Sequence, residues 1–391
     1  MSTDSLQDKE NGLFDQVVDR MNTDSSKWDK YQGTDILPMW VADTDFKTPD
    51  VVIKALQQRV EHGVFGYTHS PKLLTDLIID RMASRYQWQI KPEWIVYLPG
   101  LVCGLNVAAR ALGEPDQSVM IPSPIYPPFL SSVKLAGKPC YKAYTHLSDN
   151  RWVIDLEAAK ANLPQNTGLL HFCNPLNPGG TVYRKKELED ILAFAQANNM
   201  VICSDEIHCD LILDEELVHI PIASLNKDAE QRTVTLMAPS KTFNIAGLGA
   251  SFAIIANEKL RADFIREKRG IVPNVSLLAY TAAVASYQHG DNWLEQQLVY
   301  LRGNRARVEA VINKLPGLTL QHIEATYLAW IDCSQLPVDN PCLFFEKAGV
   351  GMSPGIEFGN RKFVRLNFGC TRALLDEALT RIEDAVYGLS G

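Results

Sequence analysis

The chain lacks any run of apolar residues long enough to cross a bilayer, which excludes a membrane-spanning role on hydropathy. Its N-terminus, MSTDSLQDKENG, has neither the basic start nor the apolar stretch of a signal peptide, nor the arginines of a transit peptide. A cytoplasmic protein is therefore expected. Basic residues are also in deficit: 38 Lys and Arg face 46 Asp and Glu, a net charge of -8. Phosphate-backbone binding needs concentrated positive charge, so a nucleic-acid partner is not expected. There is no CxxC pair; the eight cysteines (103, 140, 173, 203, 209, 333, 342 and 370) fall partly in apolar runs and read as reduced core thiols. What remains is an ordinary globular composition, 46% hydrophobic and 21% charged over 391 residues, enough for two domains.

Short apolar runs alternate with helical segments from about residue 94. WIVYL (94–98), SVMI (118–121), GLLHFC (168–173), MVICS (200–204), TVTLM (233–237) and SFAII (251–255) read as strands. Between them, KKELEDILAFAQANN sets Leu188, Ile191, Leu192 and Ala195 on one helical face. Strands this apolar fit a mostly parallel sheet covered by helices on both sides, an α/β fold. After residue 290 a long helix, the strands TYLAWIDC and KFVRLNFG, and a final helix from Arg372 suggest a smaller α+β domain. The loop-like N-terminal segment belongs with it. The expected division is 53–288 for the large domain, and 1–52 with 289–391 for the small one.

Ligands of open parallel sheets collect at the carboxyl ends of the strands. Asp205 stands at such an end in VICSDEIHCD, expected half-buried, either as a turn acid or as a functional group. Lys241 stands at another, in SKTFNIAGLGAS, a stretch with no other charge. A lysine in so apolar a turn should have a lowered pKa and a nucleophilic amine. Neighbouring charges would shift that role, and their absence from the stretch fits it. The two residues are complementary to pyridoxal 5'-phosphate, whose aldehyde needs a lysine and whose ring nitrogen needs a carboxylate. NPLNPGG (174–180) forms a rigid turn in which Asn177 can face inward. PGLVCGLNVAARAL opens a helix on a glycine turn, where the N–H groups of Leu101 and Val102 can hold a phosphate. Cys203, His208, Cys209 and Asp210 invite a metal reading, but their spacing fits no familiar zinc pattern, and no metal is expected.

In this order, NPxNPxG, SDEI and SKTF, roughly 30 residues apart, resemble the fold-type I pyridoxal-phosphate enzymes of the aminotransferase class I/II superfamily. LPMWVADTDF, HGVFGYT, SDEIHCDL and APSKTFNIAGL resemble, more narrowly, its MalY/PatB-type cystathionine beta-lyase (C-S lyase) branch. The resemblance implies that Lys241 is the Schiff-base lysine and Asp205 the partner of the pyridine nitrogen. It places Asn177 on the cofactor's 3'-oxygen, Tyr126 against the ring and Arg365 on the substrate's α-carboxylate. His208 replaces the tyrosine that usually stands three residues after the aspartate. Ala238 and Gly249 replace a serine and a phosphate-binding arginine, which leaves the phosphate to backbone N–H groups, Ser240 and Tyr67. Tyr67 would reach it from a neighbouring subunit, making the active unit a homodimer. The expected activity is β-elimination from cystathionine or a cysteine S-conjugate, giving pyruvate, ammonia and a thiol, with Gly249 pointing away from transamination. An aminotransferase of small amino acids, or a cofactor-binding regulator acting by protein contact, are the alternatives. Substrate choice is expected to rest with the loops around Trp40 to Asp45 and 351–359.

Overall fold

The computed structural model describes residues 12–389. Near the N-terminus lies β1 (Leu37–Pro38). The central sheet follows, from β2 (Ile95–Leu98), β3 (Ser118–Ser123), β4 (Cys140–Ser148), β5 (Arg151–Ile154), β6 (Thr167–Cys173), β7 (Val201–Asp205), β8 (Thr233–Met237) and β9 (Ser251–Ile255). Their spatial order is β2-β9-β8-β7-β6-β3-β4-β5. β3, β6, β7 and β8 are sheet neighbours joined in parallel, and β4 is parallel to β3. β9 runs antiparallel to both β8 and β2, and β5 antiparallel to β4. β6, β8 and β9 are buried along their whole length because helices cover the sheet, including Leu101–Ala111 and Lys185–Ala197. The helical face expected from Leu188, Ile191, Leu192 and Ala195 is buried against the sheet.

One consequence of this topology matters for chemistry. Because β9 is reversed, its first residue lies at the edge where β2, β3, β6, β7 and β8 end. The five connections that follow these strands therefore open onto a single rim.

The rest of the chain contributes β10 (Thr319–Leu320), β11 (Leu328–Asp332), β12 (Val350–Gly351), β13 (Ser353–Pro354) and β14 (Phe363–Asn367). β10-β11-β14-β13 form an antiparallel sheet, packed by the helices Asp291–Ile312 and Arg372–Tyr387. The N-terminal segment joins it, with β1 parallel to β12 and Phe14, Met39 and Phe46 in the same core as Leu328, Val364 and Leu379. No helix among the described residues is long and apolar enough to cross a membrane. All eight cysteines are free, yet Cys140 is exposed on β4 and Cys103 and Cys342 are only partly buried, so the expectation of core thiols fails for these three.

Candidate active site

The rim encloses a cavity of about 350 Å³. Asp205 and His208 reach it from the end of β7, Ser240 and Lys241 from the end of β8, and Asn177 from the turn after β6. Tyr126 enters after β3, and Leu101 and Val102 after β2. Eight of the expected site residues thus share one wall, although they span well over a hundred positions. Arg365 adjoins them from β14.

Lys241 is half-buried, and its Nζ donates to the Ala42 carbonyl at 2.5 Å. Burial pushes its pKa down to about 8, against the pull of Asp43 and Asp205; Arg365 adds to the lowering. Asp205 is buried outright rather than half-buried as expected, because it is still paired inside the sheet, with Cys173 of β6 on one side and Leu236 of β8 on the other. The Ile207 N–H donates to its Oδ1 at 3.1 Å. Burial nonetheless lifts its pKa to about 7. A lysine held low and an aspartate held high in one cleft are the pattern of tuned reactive groups. His208 is buried with Nδ1 unpartnered among the described residues, and burial, with Lys241 and Arg365 nearby, holds its pKa down to about 3. It is a neutral ring at any physiological pH.

Arg365 is only 4% exposed and, among the described residues, has no carboxylate within ion-pair distance. Nη1 donates to Asn177 Oδ1 at 3.0 Å, and Nη2 to the Trp40 carbonyl at 3.1 Å and Ser353 Oγ at 3.4 Å. Its Nε has no partner among the described residues, and its guanidinium lies 4.5 Å from the Phe358 ring centroid. Burial lowers its pKa to about 10. A buried cation without a counter-charge is costly unless an anion completes it, and a carboxylate fits the guanidinium fork. The bond to Asn177 Oδ1 also orients that amide, leaving Nδ2 as the group free to donate.

The helix Leu101–Ala111 starts at the cavity, so the N–H groups of its first turn have no intrahelical carbonyl to meet. Gly249 packs against the residue that leads into it: φ is +72°, and a Cβ there would lie 2.5 Å from the Pro99 carbonyl oxygen. The position expected to report on reaction type is thus fixed by sterics, since no side chain fits there with this backbone. Tyr67 is not brought to the cavity of its own chain; it is fully exposed, beside the exposed Val64 and Phe65.

Sequence reading missed how the loop from Trp40 to Phe46 is held. Tyr327 Oη donates to the Ala42 carbonyl at 3.0 Å, and Asn244 Nδ2 to the carbonyls of Thr44 (3.0 Å) and Phe46 (2.7 Å). Ser353 Oγ donates to Trp40 O at 2.9 Å. These contacts use backbone carbonyls, which carry no sequence signal; Asn244, a polar residue inside the SKTFNIAG stretch, was the available clue. Asp210, once considered with the metal-ligand types, instead accepts from Tyr86 Oη (2.7 Å) and Thr242 Oγ1 (3.1 Å) and pairs with Arg81.

Residues 34–382 match the aminotransferase class I and II family, and the chain belongs to it. Within that family it is 36% identical to cystathionine beta-lyase PatB of Bacillus subtilis (strain 168), over 95% of this chain and 99% of the relative. The crystal structure of OvoB is 54% identical with a TM-score of 0.94, covering 95% of this chain and 98% of OvoB. Cystalysin from Treponema denticola, whose crystal structure contains a pyridoxal 5'-phosphate cofactor, is 30% identical with a TM-score of 0.91. That likeness covers 96% of this chain and 99% of cystalysin.

Proposed function

We propose that the protein is a pyridoxal-phosphate-dependent carbon–sulfur lyase. It performs β-elimination on cystathionine or a cysteine S-conjugate, giving pyruvate, ammonia and a thiol. The reading is supported by the cystathionine beta-lyase PatB, similar over nearly the whole chain, and by cystalysin with its cofactor. The observation that carries it is the opposed tuning of Lys241 and Asp205 in one cavity beside an unneutralised Arg365.

These residues suit the cofactor. Lys241 offers the amine for its aldehyde, and Asp205, deep in the cavity, the carboxylate for its ring nitrogen. Asn177 Nδ2 is free to donate to the 3'-oxygen, while Tyr126 and His208 border the ring. The N–H groups of Leu101 and Val102, the Ser240 hydroxyl and Tyr67 of a second copy would hold the phosphate; the active unit is a homodimer on this reading. When bound, the cofactor supplies an electron-withdrawing ring that acidifies the substrate's Cα–H bond. Arg365 orients the substrate through its carboxylate, which brings Cα to Lys241. The Lys241 amine takes the Cα proton as general base.

The test uses the purified protein with cystathionine and no keto acid, and separately with an amino acid plus 2-oxoglutarate. Pyruvate and free thiol without an acceptor are expected, together with loss of visible absorbance and turnover in Lys241→Ala. Product formed only when the acceptor is present would make the protein an aminotransferase. Turnover surviving in Lys241→Ala would sink the assignment of the lysine.

A further inference from the structure

Asp205 and Lys241 reach the rim from neighbouring strands, and the ladder between those strands ends before the lysine is reached. The last register pair of β7 and β8 joins Asp205 to Leu236, and the Glu206 N–H then donates to the Leu236 carbonyl at 2.9 Å. Beyond that point the two segments part. Residues 206–211 wind into tight turns, with the Cys209 N–H on the Glu206 carbonyl at 3.0 Å and the Leu211 N–H on that of His208 at 2.9 Å. The lysine sits in a turn of its own, closed by the Phe243 N–H on the Pro239 carbonyl (2.9 Å) and the Ile245 N–H on that of Ser240 (3.0 Å). Among the described residues, one hydrogen bond crosses between these turns: Thr242 Oγ1 donates to Asp210 Oδ2 at 3.1 Å.

Asp210 is itself firmly held. It is 8% exposed, and its Oδ1 accepts from Tyr86 Oη at 2.7 Å, with Arg81 Nη2 2.9 Å away. Both partners come from the helix Lys72–Tyr86. Arg81 is fixed in turn: Nη1 donates to Asp291 Oδ1 at 3.1 Å, and the guanidinium lies 4.9 Å from the centre of the Tyr287 ring. Burial alone would lift the Asp210 pKa, but Arg81 and Arg85, with the Tyr86 hydroxyl, outweigh it and hold it below the usual carboxylate range. The acceptor for Thr242 is therefore an anion, and hydrogen bonds to ionised groups are the stronger kind. A buried ion pair adds little net stability, and its best-attested use is to fix register.

We propose that Asp210 and Thr242 are positioning residues: their bond fixes the turn that carries Lys241 against the turn that carries Asp205 and His208. The proposal rests on the function given above, in which Lys241 and Asp205 meet opposite ends of one rigid cofactor. Its aldehyde carbon and ring nitrogen are a fixed distance apart, so both partners are met at once only if the two turns keep their spacing. Strand pairing sets that spacing at Asp205, and the clasp sets it beyond the strand ends, where the lysine stands. Neither Asp210 nor Thr242 lines the cavity; they act on the lysine through the backbone.

The full-length chain, freed of cofactor, is mixed with increasing pyridoxal 5'-phosphate, and the growth of visible absorbance is timed. The half-saturating concentration reports docking of the cofactor, and the limiting rate reports bond formation with the lysine. Thr242→Val removes the hydroxyl at nearly constant shape and should lower the limiting rate roughly 10- to 100-fold, the effect of displacing a reacting group by about an ångström, with a much smaller change in half-saturation. Thr242→Ser keeps the hydroxyl and should recover most of the wild-type limiting rate. Thr242→Ala makes the same deletion as Thr242→Val and serves if that variant does not fold. A variant without the hydroxyl that loses Tm but keeps the wild-type limiting rate would reduce the bond to a structural one and overturn the proposal, as would a Thr242→Ser chain as slow as Thr242→Val. Visible absorbance that forms equally well in Lys241→Ala would instead refute the assigned function, and the clasp with it.

Discussion

Replacing Gly249 with alanine should damage cofactor binding through the backbone. The residue has φ +72°, a left-handed conformation that costs a non-glycine residue roughly 1–2 kcal/mol. The added Cβ would also stand 2.5 Å from the Pro99 carbonyl oxygen. Relief requires moving backbone rather than a flexible side-chain end, for about 1–3 kcal/mol more. The expected total is about 2–5 kcal/mol, or a Tm lower by about 2–6 °C for a chain of this length. The strain has a direction. Pro99 leads through Gly100 into Leu101 and Val102, so relaxation displaces the N–H groups assigned to the phosphate. Cofactor affinity should fall about tenfold, the effect of losing one hydrogen bond to a charged group. Thermal unfolding of the cofactor-free chain and titration with pyridoxal 5'-phosphate measure the two effects separately. A Gly249→Ala protein with wild-type Tm and wild-type affinity would refute the reasoning. Gly249→Arg meets the same obstruction and should not create a transaminase.

Two further predictions address the substrate and the second subunit. Arg365→Lys keeps a buried cation but loses the two-pronged fork, so KM for the amino acid should rise about 10- to 100-fold with a smaller change in kcat; an unchanged KM in steady-state assays would remove Arg365 from the substrate. Tyr67→Phe should weaken cofactor binding without lowering Tm, since the side chain is fully exposed in its own chain. Hybrids of Tyr67→Phe with Lys241→Ala chains should regain wild-type affinity at one site, and low affinity in every mixture would refute a shared site.

The interior strands were legible because burial on both faces leaves a nearly unbroken apolar run: TVTLM and SFAII were expected at 233–237 and 251–255 and are found there. β4 and β5 went unseen because CYKAYTHLS lies at the sheet margin with most of its residues exposed, so it carries polar side chains. Lys241, Asp205 and Asn177 were legible because strand ends in a parallel sheet converge. The surroundings of Lys241 were legible only in part. Asp205 and Arg365 were expected in its site, but Asp43, from a loop read only as choosing the substrate, was not expected to bear on the lysine's charge. Gly249 was legible as unusual, but its reason lies in a carbonyl oxygen that belongs to Pro99.

The pairing of β1 with β12, and the bond from Arg365 to the Trp40 carbonyl, join the two ends of the chain. On the ribosome the loop from Trp40 to Phe46 emerges early and must wait, for Tyr327, Ser353 and Arg365 do not yet exist. The central sheet can assemble during synthesis, but the lysine's resting place is finished only when β14 has been made. Capture of cofactor by a nascent chain is thus a report on its completion, and a chain cut short before residue 363 lacks the strand that closes the site.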